Sequence, residues 1–354
     1  MGPSRESERL KLECIKDPIV SVVMPCFNAA ATIDQAVASV LEGDLESIEL
    51  IAVDDGSQDG TVDRLLRWAE QDRRLRPIIM EHRGIIAALN RGWQEASGKL
   101  IGRMDADDYS YPERFAAQVA CLNADAKLAA VGSLVEAFPP ADVSEGFQVY
   151  LDWLNRLITP EQISREIYIE SPLVHPSVLI RRIWLERVGG YIDRGWPEDY
   201  DLWLRIDREG GQFAKVPDVL FSWREHPDRL TRTDNRYSVR NFLRAKAHYL
   251  MAGPLADRDA VLIWGAGQMG RRISKHLLER GAPIVAFIDV DQAKIGRSKR
   301  GRPVVAREEL MDWWSRYQHP ALLAAVGSHA ARGLIREYLA NHGLVEGRDW
   351  WAAA

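Results

Sequence analysis

Short apolar runs, each ending at an acid or a turn residue, alternate along this chain with stretches where apolar residues recur every three or four positions. Ile19 to Pro25 is rich in β-formers and stops at a proline; Ile33, Ala36, Val37, Val40 and Leu41 then fall on one helical face. Glu49 to Val53 predicts a second strand, and Val62, Leu65, Leu66 and Ala69 a second helix with Thr61 as its N-cap. Pro77 to Met80 and Leu100 to Met104 predict two more strands, on either side of a helix over Ile85 to Ala96. Pro112 sits where a further helix can begin, with Phe115, Val119 and Leu122 on one face. Strand and helix alternating at this pitch predict an α/β fold with a mostly parallel sheet and right-handed crossovers. Val131 to Val135, Ser177 to Ile180 and Val219 to Trp223 read as later strands of mixed direction, and 236–252 as helix ending near Gly253-Pro254.

A second α/β pattern starts near Asp259. Val261 to Trp264 runs into Gly265-Ala-Gly267-Gln-Met-Gly270, followed by a helix, a strand over Ile284 to Ile288, and Asp289. Strand, G-x-G-x-x-G, helix, strand, acid is the order of a dinucleotide-type βαβ unit. Gly265, Gly267 and Gly270 would let a backbone turn approach a pyrophosphate at a helix N-terminus, and Asp289 stands where a ribose-binding acid is expected. Pro303 to Ala306 and Leu322 to Val326 add two short strands, about half of a doubly wound sheet. No Tyr-x-x-x-Lys follows and no substrate domain remains. Both count against an NAD-dependent activity and leave nucleotide binding without redox chemistry or a purely structural module for this unit; a nucleotide-binding or NAD-dependent protein working through this loop stands as the alternative function of the chain. Five basic residues between Lys294 and Arg302 could cover a phosphate or form a solvated hairpin.

The chain has 354 residues, enough for two domains with cores of their own. The expected division is a leader over 1–17, a first domain over 18–235, a helical linker over 236–256 and a small Rossmann-like domain over 257–354. A net charge of -5 argues against bulk nucleic-acid binding. Three cysteines without a C-x-x-C pair give neither a disulfide framework nor a zinc site, which fits a reducing compartment. No apolar run reaches the ~18–20 residues of a spanning helix, and the first residues lack a signal-peptide core. Cytoplasmic is the expectation, with peripheral membrane association left open.

The acids change the picture most. Asp54-Asp55-Gly56-Ser57 and Asp105-Ala-Asp107-Asp108 each follow a strand, and Glu198, Asp199 and Asp201 open an aromatic-rich helix. Open α/β sheets bind ligands beyond the C-terminal ends of their strands. An Asp-x-Asp pair there can hold a hard divalent cation that bridges phosphate oxygens.

Val22-Val-Met-Pro-Cys-Phe-Asn28, Ile51-Ala-Val-Asp-Asp-Gly-Ser-Gln-Asp-Gly-Thr61, Gly84-Ile-Ile-Ala-Ala-Leu-Asn-Arg-Gly92 and Gly102-Arg-Met-Asp-Ala-Asp-Asp108 resemble, in order, the family 2 glycosyltransferases. Val174-His-Pro-Ser-Val-Leu-Ile180, Glu198-Asp-Tyr-Asp-Leu-Trp203 and Trp223-Arg-Glu-His226 continue the resemblance, which covers about residues 19–230. It implies the GT-A fold, an inverting transfer from a nucleotide-sugar donor, a UDP-sugar favoured, and Mn²⁺ or Mg²⁺ as cofactor. The acceptor would be a polysaccharide, a lipid-linked glycan or a protein. Pro25 to Asn28 would form the loop after the first strand, with Phe27 either stacked on the base or in the core. Asp55 matches the acceptor of the base imide N–H, while Asp54 fits a turn-capping role better. Asp107 would contact the metal, Asp105 would hold ribose or metal-bound water, and Asp108 would stand behind them. Asp199 matches the general base. His226 matches a position that in some relatives reaches metal or phosphate, although a lone histidine is often structural. His175 reads as structural or acceptor-side, and Arg83 and Arg103 as phosphate or base contacts or plain surface. The C-terminal unit resembles the small nucleotide- or sugar-nucleotide-binding half-domains of sugar-modifying enzymes, which implies a second nucleotide site.

Overall fold

The computed structural model describes residues 18–354; the leader expected over 1–17, with Cys14, lies outside the described residues. The chain forms two compact units that interleave along the sequence. The first takes the described residues up to Pro160 with Leu173–Asp193 and Arg205–Arg229, and the second takes Glu161–Pro172, Arg194–Leu204 and Leu230–Ala354.

The first unit carries β1 (Val20–Cys26), β2 (Ile48–Asp54), β3 (Leu75–Ile79), β4 (Leu100–Arg103), β5 (Tyr109–Ser110), β6 (Leu128–Phe138), β7 (Leu179–Arg181) and β8 (Gln212–Arg224). They form one sheet in the order β3-β2-β1-β4-β7-β6-β8-β5. The first four are mutually parallel, β7 is antiparallel to β4 and β6, β6 and β8 are parallel, and β5 closes antiparallel on β8. A parallel strand covered by helices on both faces must be apolar throughout, and β1 and β2 are buried at every position but Pro25. Of the two acids in β2, Asp54 closes the strand and Glu49 is tolerated within it because Ser21 Oγ at 2.5 Å, Ser97 N–H at 2.7 Å and Arg76 at 3.1 Å all donate to it.

Local readings shift at several ends. Pro25 and Cys26 belong to β1 rather than to the loop beyond it. Thr61 is the first residue of its helix, Thr61–Gln71, not its cap. Its hydroxyl donates to Asp59 Oδ1 at 2.6 Å and accepts from Ala29 N–H at 2.8 Å, so it ties loops together instead. The helix expected from Pro112 starts at Arg114, and Ser177 lies in a 3₁₀ turn before β7.

The second unit carries β9 (Ala260–Trp264), β10 (Ile284–Asp289), β11 (Ser298–Lys299), β12 (Arg302–Ala306), β13 (Pro320–Ala324) and β14 (Trp350–Ala352), in the order β11-β12-β10-β9-β13-β14. All pair in parallel except the β11–β12 hairpin, so the basic stretch from Lys294 ends in that hairpin. The sheet is two strands wider than the sequence reading, which lacks β11 and β14. The helix Val239–Ala252, expected as a linker, lies within this unit. Its core joins Leu262, Ala286, Leu322 and Trp350 with Leu310, Ile335 and Leu339, each large apolar side chain stabilising the unit by about 1.5–3 kcal/mol. No helix among the described residues is long and apolar enough to cross a membrane.

Candidate active site

Three loops meet at the C-terminal ends of β1, β2 and β4. Asn28 stands in the left-handed region (φ +51°), which asparagine adopts more readily than most residues. Its N–H donates to Ser57 Oγ at 2.8 Å, and its Oδ1 accepts from Gln58 N–H at 2.9 Å, locking the β1 loop to the β2 loop. Thr32 Oγ1 donates to Ala106 O at 2.9 Å and ties the same segment to the acidic loop after β4.

That acidic loop is the centre of the site. Asp105, Asp107 and Asp108 present carboxylate oxygens that all lie within 4.8 Å of one another. His226 Nε2 lies 2.9 Å from Asp107 Oδ2, and Arg103 pairs with Asp105 at 2.5 Å. Asp108 is 2% exposed; its Oδ1 accepts from Arg224 N–H at 2.7 Å, while its Oδ2 has no hydrogen-bond partner. Burial, then the charge of Asp105, pushes the Asp107 carboxyl above the usual range. Burial and both neighbouring acids push Asp108 well above it. Three carboxylates this close, one with an orphaned buried oxygen, fit a hard divalent cation.

On the β2 side, Asp54 caps the turn through Oδ2, which accepts from Gly56 and Ser57 N–H at 3.1 and 3.0 Å. Asp55 is 3% exposed and accepts from Arg83 N–H at 2.7 Å and Gly84 N–H at 2.8 Å. His82 Nδ1 adds a contact to Asp55 at 2.9 Å. Phe27 is not a core residue: it is 50% exposed, with its ring centroid 4.4 Å from that of His82. The two rings make an open platform beside Asp55. Arg83 reaches this site through its main chain, and its side chain is exposed.

Beneath the acids lies a residue that sequence reasoning missed. Arg114 is fully buried, donates to Arg103 O and Pro176 O at 2.8 Å each, and lies over the Phe115 and Phe221 rings. Burial lowers its pKa to about 9. Gln118, one turn on, bonds Val131 O and Ser177 O. The available signal was an Arg and a Gln spaced i, i+4 on the inward face of a helix that also buries Phe115 and Leu122. His175 is buried against Tyr191 OH at 2.9 Å and held well below the usual histidine range by burial and by Arg103, which favours the structural reading.

Asp199 lies in the second compact unit, in the first turn of the helix Glu198–Arg208. Its neighbours are engaged inside that unit. Glu198, 1% exposed, accepts from Tyr237 OH at 2.7 and 2.8 Å. Asp201, wholly buried, accepts from Trp196 Nε1 at 2.8 Å and Tyr249 OH at 2.6 Å. Asp199 is half-buried.

The glycine loop follows β9. Gly265 has φ +110°, and a Cβ there would stand 2.8 Å from Ala325 O; a Cβ on Gly270 would collide with the Gly265 carbonyl. Both glycines are required by packing alone. Asp289 at the tip of β10 accepts from Ala266 N–H at 2.9 Å through Oδ2, and from Val290 and Asp291 N–H at 2.9 and 3.0 Å through Oδ1. Lys294 Nζ lies 3.3 Å from Oδ2.

A curled, mostly parallel sheet with clustered acids beyond its strand ends defines the nucleotide-sugar transferase class of α/β fold. Residues 21–189 match the glycosyl transferase family 2. An uncharacterized glycosyltransferase of Haemophilus influenzae is 30% identical over 216 residues, 59% of this chain and 66% of that protein. The amylovoran biosynthesis glycosyltransferase AmsE of Erwinia amylovora is 27% identical over 216 residues, 59% of this chain and 77% of its own. Among solved structures, S. aureus TarS 1–349 in complex with UDP-GlcNAc superposes with a TM-score of 0.54 at 15% identity, covering 73% of this chain and 71% of that one.

Proposed function

We propose that the chain transfers a sugar from a nucleoside-diphosphate sugar to a glycan acceptor with inversion at the anomeric carbon. The observation that carries this is the convergence of Asp105, Asp107 and Asp108 at the end of β4, with an unpartnered buried oxygen on Asp108. The acids suit Mn²⁺ or Mg²⁺: Asp107, with His226 beside it, would hold the cation, and Asp105 would hold ribose or a metal-bound water. When bound, such a cation would offset charge on the departing diphosphate. The Phe27–His82 platform gives a nucleobase a face to stack on, and Asp55, pinned by two main-chain amides, offers its remaining lone pairs to a base N–H. A UDP-sugar leads among donors by resemblance to the family.

Asp199 is the proposed general base. The full engagement of Glu198 and Asp201 supports it, since adjacent helical residues point in different directions and these two are buried. The relative named for amylovoran biosynthesis favours a polysaccharide or its lipid-linked precursor over a protein acceptor. The test is a panel of UDP-, GDP- and dTDP-sugars with and without Mn²⁺, followed by nucleoside diphosphate release and the anomeric configuration of the product by NMR. Release that is unchanged by chelation, or a product of retained configuration, overturns the corresponding half of the reading.

A further inference from the structure

We propose that the second unit holds a separate, metal-independent site for a nucleoside diphosphate, which does not read the ribose through an acid. Beyond the C-terminal ends of β9, β10 and β13 lies a cavity of about 440 Å³, within the range of small-ligand sites. Gly267 lines it. Unlike Gly265 and Gly270, it has an ordinary φ of -75°, and a Cβ there would meet no atom within 4 Å. Nothing inside the protein requires a glycine at this position; the space in front of it opens into the cavity, as a close-lying phosphate needs.

Gly267 is also the N-cap of the eleven-residue helix Gln268–Leu278, and no side chain caps that helix. The first-turn amides therefore lack an acceptor from a capping side chain, and Gln268 and Met269 line the cavity beside them. Two cations, Lys294 and Arg307, line the same space, each with an acidic neighbour of its own: Asp289 and Asp291 for Lys294, Glu308 for Arg307. Amides, helix dipole and cations together favour an anion there.

The rest of the wall calls for a flat apolar group. Val290 and Leu334 line the cavity while 60% and 69% exposed, an unfavourable placement that a covering ring would relieve. Tyr338 and Trp264, packed edge to face at 5.2 Å, stiffen the inner wall. An anionic end and a flat apolar end within one cavity of this size describe a nucleotide.

Asp289 decides the specificity. Three main-chain amides and Lys294 already occupy its oxygens, so it has little capacity left for ribose hydroxyls. The acid that would hold a ribose in a dinucleotide enzyme here holds the glycine loop together.

The test uses the full chain carrying Asp107→Ala, in EDTA, so that the proposed donor site is silent and its failure is read separately. Calorimetry with ADP, UDP and GDP should show one equivalent bound for at least one of them. ADP and 2′-deoxy-ADP should agree within ~3-fold, less than the ~5-fold that a single ribose hydrogen bond would supply. Adding Gly267→Val should weaken binding at least ~10-fold by filling the phosphate space, with the melting temperature unchanged because the backbone there is unstrained. Gly267→Ala, with its smaller side chain, should fall between. No binding of any of the three, or undiminished binding in Gly267→Val, overturns the site. A strong ribose preference, or NADH binding far tighter than ADP, overturns its specificity.

Discussion

The acidic loop after β4 and the glycine loop after β9 stand at equivalent places, each beyond the C-terminal end of a central parallel strand, yet they present different groups to a ligand. The first gathers three carboxylates within 4.8 Å, and burial pushes two of them above the usual carboxylate range. The second offers main-chain amides and two cations. In the proposed reading an anionic ligand would reach the first only with a cation between, whereas the second would take it directly. One kind of sheet edge would then support two ways of holding phosphate. A site built from side-chain acids can be switched by a metal, and one built from backbone cannot.

The contrast breaks first at turnover. Asp199→Asn keeps size and hydrogen bonding but cannot accept a proton near neutral pH. Transfer should fall by ~10²–10⁴-fold while nucleoside diphosphate affinity at either site is kept. Near-normal turnover in this variant would place the base elsewhere.

Next comes the metal. Asp107→Ala removes the carboxylate that His226 contacts and should weaken Mn²⁺-dependent donor binding by more than the ~10–100-fold typical of losing an outer partner of a metal site. His226→Ala should cost about that ~10–100-fold itself, through the lost contact to Asp107 at 2.9 Å. Both are read by calorimetry with UDP plus Mn²⁺. A donor affinity equal to that of the unsubstituted chain, in either case, would remove that residue from the metal site.

What the sequence made legible was local. Asp54-Asp55-Gly56 and Asp105-Ala-Asp107-Asp108 each lie within one loop, so spacing alone brings the side chains together. The same holds for Gly265 to Gly270. Partners distant in sequence were hidden: Arg114 supports the acidic loop by bonding Arg103 O and Pro176 O, which only the folded sheet brings within reach. Thr61 read as a helix cap because its contact to Ala29 across the loops carries no local signature. The strand Trp350–Ala352 is three residues long, below what periodicity resolves. The helix His329–Asn341 was blurred because Leu334, apolar and facing outward at 69% exposure, breaks the expected stripe. That same leucine lies on the wall of the proposed nucleotide cavity.

The smallest effect tests how each unit handles a buried cation, and it extends the contrast into the cores. Lys215 in β8 is 4% exposed, and its Nζ donates to Leu154 O at 2.5 Å; burial lowers its pKa to about 7. Lys246 in the second unit is 3% exposed, with its pKa lowered by burial while Glu170 raises it. For Lys215 the folded pKa lies below the unfolded value of 10.5, so between about pH 7 and that value the unfolded chain holds a proton that the folded chain has lost. Stability should therefore rise with pH through this window, by about 1.4 kcal/mol per pH unit at most. Lys215→Met should flatten the rise between pH 7 and 9, and Leu154 O keeps a partner, since Leu157 N–H also donates to it at 3.2 Å. Lys246→Met should instead destabilise at neutral pH, because Glu170 loses the cation that favours its charged form. Melting curves of the two variants from pH 6 to 9 separate these outcomes. If Lys215→Met keeps the slope of the unsubstituted chain, the pH dependence belongs to another group.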